Sequence, residues 1–143
     1  MPAKWATVVP VLFALLIVSG CGGGDSGGNG SAADTGQAEA AAAALKSSVA
    51  QGNYAKACDL YTSAAKTELA RRAKGAAKDC PAVLAQLFRS VPASAKKKLG
   101  EIRITSTIVT GSHATAADSA GGTTYLTKQG DKWLVDKTPS KSG

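Results

Sequence analysis

Apolar residues along the chain fall into three regimes, and each predicts a different kind of element. Val8 to Val18 (VVPVLFALLIV) is apolar without interruption. From Ala38 to Phe88 the apolar positions recur about four residues apart, the spacing of one helix face. After Pro92 and a run of lysines the period falls to two, the spacing of strands. Between the first two regimes, Gly22 to Gly36 (GGGDSGGNGSAADTG) has nothing to bury and is expected to be disordered.

Within the helical regime, Ala38 to Gln51 is rich in alanine, the best helix former, and Leu45 and Val49 give it a narrow apolar stripe. Gly52 can adopt the left-handed conformation that closes a helix, and Asn53 can accept from the next turn's amides, so Gly52-Asn53 is a helix-to-helix corner. Tyr54, Cys58 and Tyr61 then recur at helical spacing, with Ala57 and Leu60 beside them. Thr62 or Ser63 is placed to cap a continuation through Leu69 toward Arg72, which Gly75 ends. Asp79 caps a further helix, whose first turn tolerates Pro81 because an amide there has no intrahelical partner. Val83, Leu84, Leu87 and Phe88 share its apolar side.

The strand regime opens with Glu101 to Thr105, which alternates polar and apolar, and continues through Thr110, β-branched apart from Ser106. Gly111-Ser112 signals a turn into His113–Ser119, a weak return strand with Ala114 and Ala116 facing inward. Gly121-Gly122 breaks it; Thr123–Lys128 resumes, and Gln129-Gly130-Asp131 turns into Lys132–Asp136 around Trp133. The fold class expected is α+β: N-terminal helices on one face of a curved antiparallel sheet, over residues 38–138, with a polar tail at 139–143.

The first regime sets the compartment. Lys4 and the free amino terminus precede the apolar run, the layout of a secretion signal. A membrane-spanning helix needs roughly 20 apolar residues, and this run breaks sooner, at Ser19, Gly20 and a glycine tract. Val18-Ser19-Gly20-Cys21 resembles the lipobox of bacterial lipoprotein signal peptides. The resemblance implies that residues 1–20 are removed and that Cys21 becomes an acylated N-terminus, with palmitate among the expected acyl chains. Residues 21–37 are then the lipidated cysteine and a tether, on the extracytoplasmic face of the cell membrane. A leftover thiol after an ordinary signal, or an uncleaved anchor, are the alternatives. Cysteine parity favours the lipid: of three cysteines, removing Cys21 leaves Cys58 and Cys80 as an even pair. Outside the reducing cytoplasm that pair is expected as a disulfide, worth about 3 kcal/mol for a loop of this size. A metal or redox pair fits less well, because the spacing is not CxxC and the chain has one histidine.

Charge changes the picture only modestly. The chain has 17 Lys and Arg against 10 Asp and Glu, for a net +7, and of the basic residues only Lys4 precedes Cys21. The cations cluster at Arg71, Arg72, Lys74 and Lys78, and again at Lys96, Lys97 and Lys98. Such runs are most often solvated faces; the functional alternative is contact with anionic lipid or a wall polymer. Nucleic acid is excluded as a partner by the export signal and by the lack of interleaved aromatics to stack bases.

The segment from Ala38 to Thr138 is similar to small exported domains of the nuclear-transport-factor-like (cystatin-like, ketosteroid-isomerase-like) cone fold. Gly52-Asn53-Tyr54 followed by Ala57-Cys58, the second cysteine at Cys80, and the closing Gly130-Asp131-Lys132-Trp133-Leu134-Val135 carry the resemblance. It implies a pocket between helices and sheet that binds a small apolar ligand in some members and is an active site in a few. Tyr54, Tyr61, Tyr125 and Trp133 are the candidate lining, although aromatics at these spacings are more often core. Catalytic residues are not expected: His113 sits beside a hairpin turn, Asp59 should face outward if Cys58 faces inward, and Asp118 lies near the Gly121-Gly122 break. No metal-ligand cluster, nucleophile elbow or cofactor motif is present in the sequence. The expected function is that of a non-enzymatic, lipid-anchored domain binding a small apolar ligand or an envelope partner. The alternative is isomerase or hydrolase-type chemistry in the pocket.

Overall fold

The longest element begins inside the stretch expected to be tether. The computed structural model describes residues 30–75 and 78–137, so the signal segment 1–20, Cys21 and the tail 139–143 lie outside the described residues. Helix α1 spans Ala32–Ala50, six residues longer at its start than the alanine run from Ala38 suggested. The Ser31 side chain caps it by accepting from the Asp34 amide at 3.1 Å, and Asp34 places a negative charge in the first turn. Gly30 lies flush against the sheet: its amide donates to the Val109 carbonyl, and a Cβ there would overlap Val109 Cγ1. Residues 30–36 therefore belong to the fold, because caps and long-range partners outweigh their glycine-rich composition.

One face of α1 carries Ala38, Ala42, Leu45, Ser48 and Val49, all buried. Ala38 and Ala42 are 0% exposed, and such small side chains let the helix approach its neighbours closely. The helix ends in a Schellman turn, in which Gly52 (φ 71°) donates to the Val49 carbonyl and Asn53 to that of Ser48. Asn53 then caps α2 (Tyr54–Asp59), and Thr62 caps α3 (Ser63–Arg72). Asp79 caps α4 (Cys80–Leu87), with Pro81 in its first turn. Val83 and Leu84 are buried, whereas Leu87, expected on the same side, is exposed. Cys58 of α2 and Cys80 of α4 form a disulfide with a Cα–Cα distance of 6.0 Å.

The lysine run does not lead directly into a strand. Ala93–Glu101 forms α5, with Gly100 close against Ala50 of α1, so Glu101 ends a helix rather than starting a strand. No side-chain cap marks its start at Pro92 and none of its residues is buried, so neither a cap nor a buried apolar face announces it. Strands β1 (Ile104–Thr110), β2 (His113–Asp118), β3 (Thr123–Gln129) and β4 (Lys132–Val135) form an antiparallel meander in the order β1-β2-β3-β4. The register aligns Val109, Ala114, Leu126 and Val135 in one row. All four are buried and belong to the same core as Leu45, Val49, Ala57, Cys58, Leu84 and Trp133. Ala114 and Ala116 face inward as expected. The fold is α+β, and no helix among the described residues is long and apolar enough to cross a membrane.

Candidate functional site

Strand β4 ends where the chain touches the helices again. The Thr62 amide donates to the Val135 carbonyl at 2.9 Å and the Val135 amide to that of Leu60 at 2.6 Å, so residues 60–62 run parallel to β4 and cover its edge. Asp136 follows. Its amide donates to the Tyr125 carbonyl, and its carboxylate accepts from Thr62 Oγ1 (2.8 Å), Thr127 Oγ1 (2.9 Å) and the Lys137 amide (2.8 Å). Thr62 Oγ1 also accepts from the Ala65 amide, so one hydroxyl caps a helix and pins a carboxylate.

Asp136 and Lys137 lie between two open depressions. One, of about 200 Å³, is lined by Tyr61, Ala65, Glu68, Leu69 and Arg72; the other, of about 370 Å³, by His113, Thr115, Tyr125 and Thr127. Burial pushes the Asp136 carboxyl up, but hydrogen bonds from Thr62, the Lys137 amide and Thr127 outweigh it and leave the pKa below the usual carboxylate value. Burial raises the Tyr61 phenol, which stays protonated at neutral pH. Glu68 is held low by Arg71 and Arg72. These groups can orient a polar ligand by hydrogen bonding. A carboxylate kept ionised by three donors is poorly suited to donate a proton at neutral pH.

The structure separates the four aromatics proposed for one pocket. Tyr54 stacks on Phe88 with ring centroids 6.2 Å apart, between α2 and α4. Trp133 is 3% exposed, and its Nε1 donates to Asp34 Oδ1 at 3.3 Å. Tyr61 and Tyr125 line different depressions. Asp59 is exposed, and so is His113, whose Nδ1 is a long 3.4 Å from Thr127 Oγ1.

Asp118 has a structural task. It accepts from Lys46 Nζ at 2.7 Å and from the Gly122 and Ala120 amides, and these donors, led by Lys46, depress its pKa against the opposing effect of burial. A Cβ on Gly122 would stand 2.7 Å from that carboxylate, so the Gly121-Gly122 break is shaped around it. Asp34, Lys46 and Asp136 were not visible as sites from spacing, because their principal partners lie between 9 and 99 residues away in the chain. Comparison with known protein families, curated proteins and solved structures found no match to this chain.

Proposed function

We propose that the protein is an exported lipoprotein, anchored through Cys21 on the extracytoplasmic face of the membrane, whose α+β body is a non-enzymatic module that engages an envelope partner. The Cys58–Cys80 disulfide carries this reading. Such bridges persist in oxidising compartments, and pairing these two leaves Cys21 as the odd thiol that acylation accounts for. On the same reading the body has the cone fold, which the order of helices before an antiparallel meander ending in the Trp133 strand supports.

Between a small apolar ligand and a partner molecule, the geometry favours the partner. The candidate aromatics are dispersed, and the two depressions beside Asp136 are open to solvent rather than enclosed, although the one beside His113 and Tyr125 is lined mainly by apolar surface. Acid catalysis in an apolar pocket needs a carboxyl raised toward neutrality, whereas Asp34, Asp118 and Asp136 are all lowered. The test is mass spectrometry of the unreduced protein taken from its own cells after in-cell crosslinking. The expected result is a chain beginning at acylated Cys21, with Cys58 joined to Cys80 and a crosslinked envelope component. A cytosolic chain with residues 1–20 intact and free thiols overturns the compartment; a tightly retained apolar small molecule overturns the choice of partner over ligand.

A further inference from the structure

We propose that the β1 side of the domain lies on the membrane, with Lys96, Lys97 and Lys98 of α5 meeting anionic lipid headgroups; the proposal rests on the reading of Cys21 as the lipidated residue. β1 is an edge strand, and both ends of this edge are defined. At one end Gly30 enters the fold against Val109. At the other, α5 passes the chain into β1 through Ile102 and Arg103. The seven residues of β1 span roughly 23 Å. From Cys21 to Gly30 the chain advances nine residues, which reach at most about 30 Å whatever path they take. An anchored Cys21 therefore holds the Gly30 end of this edge within about 30 Å of the headgroups. Between the two ends stands Ile108, 63% exposed, the most exposed large apolar side chain among the described residues.

The charges on the chain leading into β1 are uncommitted. Lys97, Lys98 and Arg103 are exposed and Lys96 is half-buried, and among the described residues none of them has a carboxylate within 4 Å. Opposing them are Glu101 on the same helix and Glu39, which shares a groove with Gly100 and Arg103; Asp118 is already engaged by Lys46. The other basic cluster differs, because Arg71 and Arg72 are both bound to Glu68. Each lysine close to an anionic surface favours contact about fivefold, so the two exposed neighbours Lys97 and Lys98 favour it by about 25-fold at low salt. The attraction fades within a Debye length of about 10 Å, so it acts only when the domain settles on the surface, an encounter that the anchor makes frequent by raising the effective concentration.

The test uses the full mature protein in vesicles of phosphatidylcholine alone or with phosphatidylglycerol, read by flotation and by amine-reactive labelling of each lysine. The expected result is flotation with both vesicles, and at least tenfold slower labelling of Lys96, Lys97 and Lys98 in the anionic ones. Added salt should reverse that slowing, and the changes Lys97→Gln and Lys98→Gln should weaken it. Flotation with equal labelling in both vesicles overturns the lipid-facing surface while leaving the anchor. Failure to float on neutral vesicles with protection on anionic ones retires the anchor and supports the surface. Neither effect retires both. Slowed labelling produced instead by soluble wall polymer, and not by anionic vesicles, overturns the bilayer as occupant.

Discussion

The α1–sheet half of the domain and the α2–α4 half are fastened by different chemistry. Alanine supplies much of the face with which α1 joins the core, and its two ends are tied down by charge: Asp34 to Lys128 Nζ at 2.6 Å near the start, Lys46 to Asp118 at 2.7 Å near the end. Among the described residues, the α2–α4 half sends only Ala57, Cys58 and Leu84 into the buried core cluster, and it is closed on itself by a disulfide. Its polar links to the sheet are few, at Leu60, Thr62, Val135 and Asp136. Alanine buries too little area to fix a helix firmly by itself. In one half Leu45, Val49 and two ion pairs supplement the alanines, and in the other a covalent bond does so.

The sharpest way to break the ionic half is Lys46→Ala. It leaves the Asp118 carboxylate, whose side chain is 4% exposed, without a countercharge. Removing one partner of a buried pair typically costs about 3 kcal/mol or more, and urea denaturation should show a loss of that order. A loss under about 1 kcal/mol would mean that the Ala120 and Gly122 amides suffice. The pH dependence follows from the same bond. The Asp118 pKa is lowered in the folded state from 3.8, so its contribution is fully present above about pH 4 and lost as pH falls through the folded value. Lys46→Ala should make that acid-side loss shallower.

The covalent half should answer to Cys58→Ser with Cys80→Ser. The bridge closes a loop across 22 positions, for which the chain-entropy account gives about 3 kcal/mol. The loss should also be local, with amide exchange accelerating more in residues 54–87 than in β1–β4. Uniform acceleration would show that the two halves unfold as one unit despite their different fastenings.

Where the halves meet, Thr62→Val removes both the α3 cap and one donor to Asp136. The expected cost is about 1 to 2 kcal/mol. The Asp136 carboxyl should titrate at a higher pH than in the parent, as followed by NMR. Thr62→Ser should restore both properties, which a purely steric role for Thr62 would not predict.

How much of this was legible depends on how local the causes are. The Gly52-Asn53 corner, the Asp79 cap with Pro81, and the meander around Gly111, Gly122 and Gly130 are set by neighbouring residues, and all stand where spacing put them. Helix α5 was not legible, since Ala93–Glu101 lacks a side-chain cap and a fully buried face. Nor was the ridge at Asp136, whose partners Thr62 and Thr127 come together only when β4 meets the helices. The aromatics are a different case. Tyr54, Tyr61, Tyr125 and Trp133 have the right spacings to face inward, but spacing does not say that they face the same space.

The smallest expected effect bears on the start of α1. Gly36 lies in the second turn of the helix, and a Cβ there would meet nothing within 4 Å. Its φ is not in the left-handed region, so alanine can take its place without strain. If residues 32–37 are helical, Gly36→Ala should stabilise the protein by about 0.5 to 1 kcal/mol, because alanine loses less backbone freedom on folding. If those residues behave as the tether their composition suggests, the substitution should change nothing, since an unfolded segment has no helix to favour. The contrast thus tests whether Ser31, Asp34 and the Trp133 and Lys128 contacts of Asp34 are strong enough to recruit a glycine-rich stretch into the folded body.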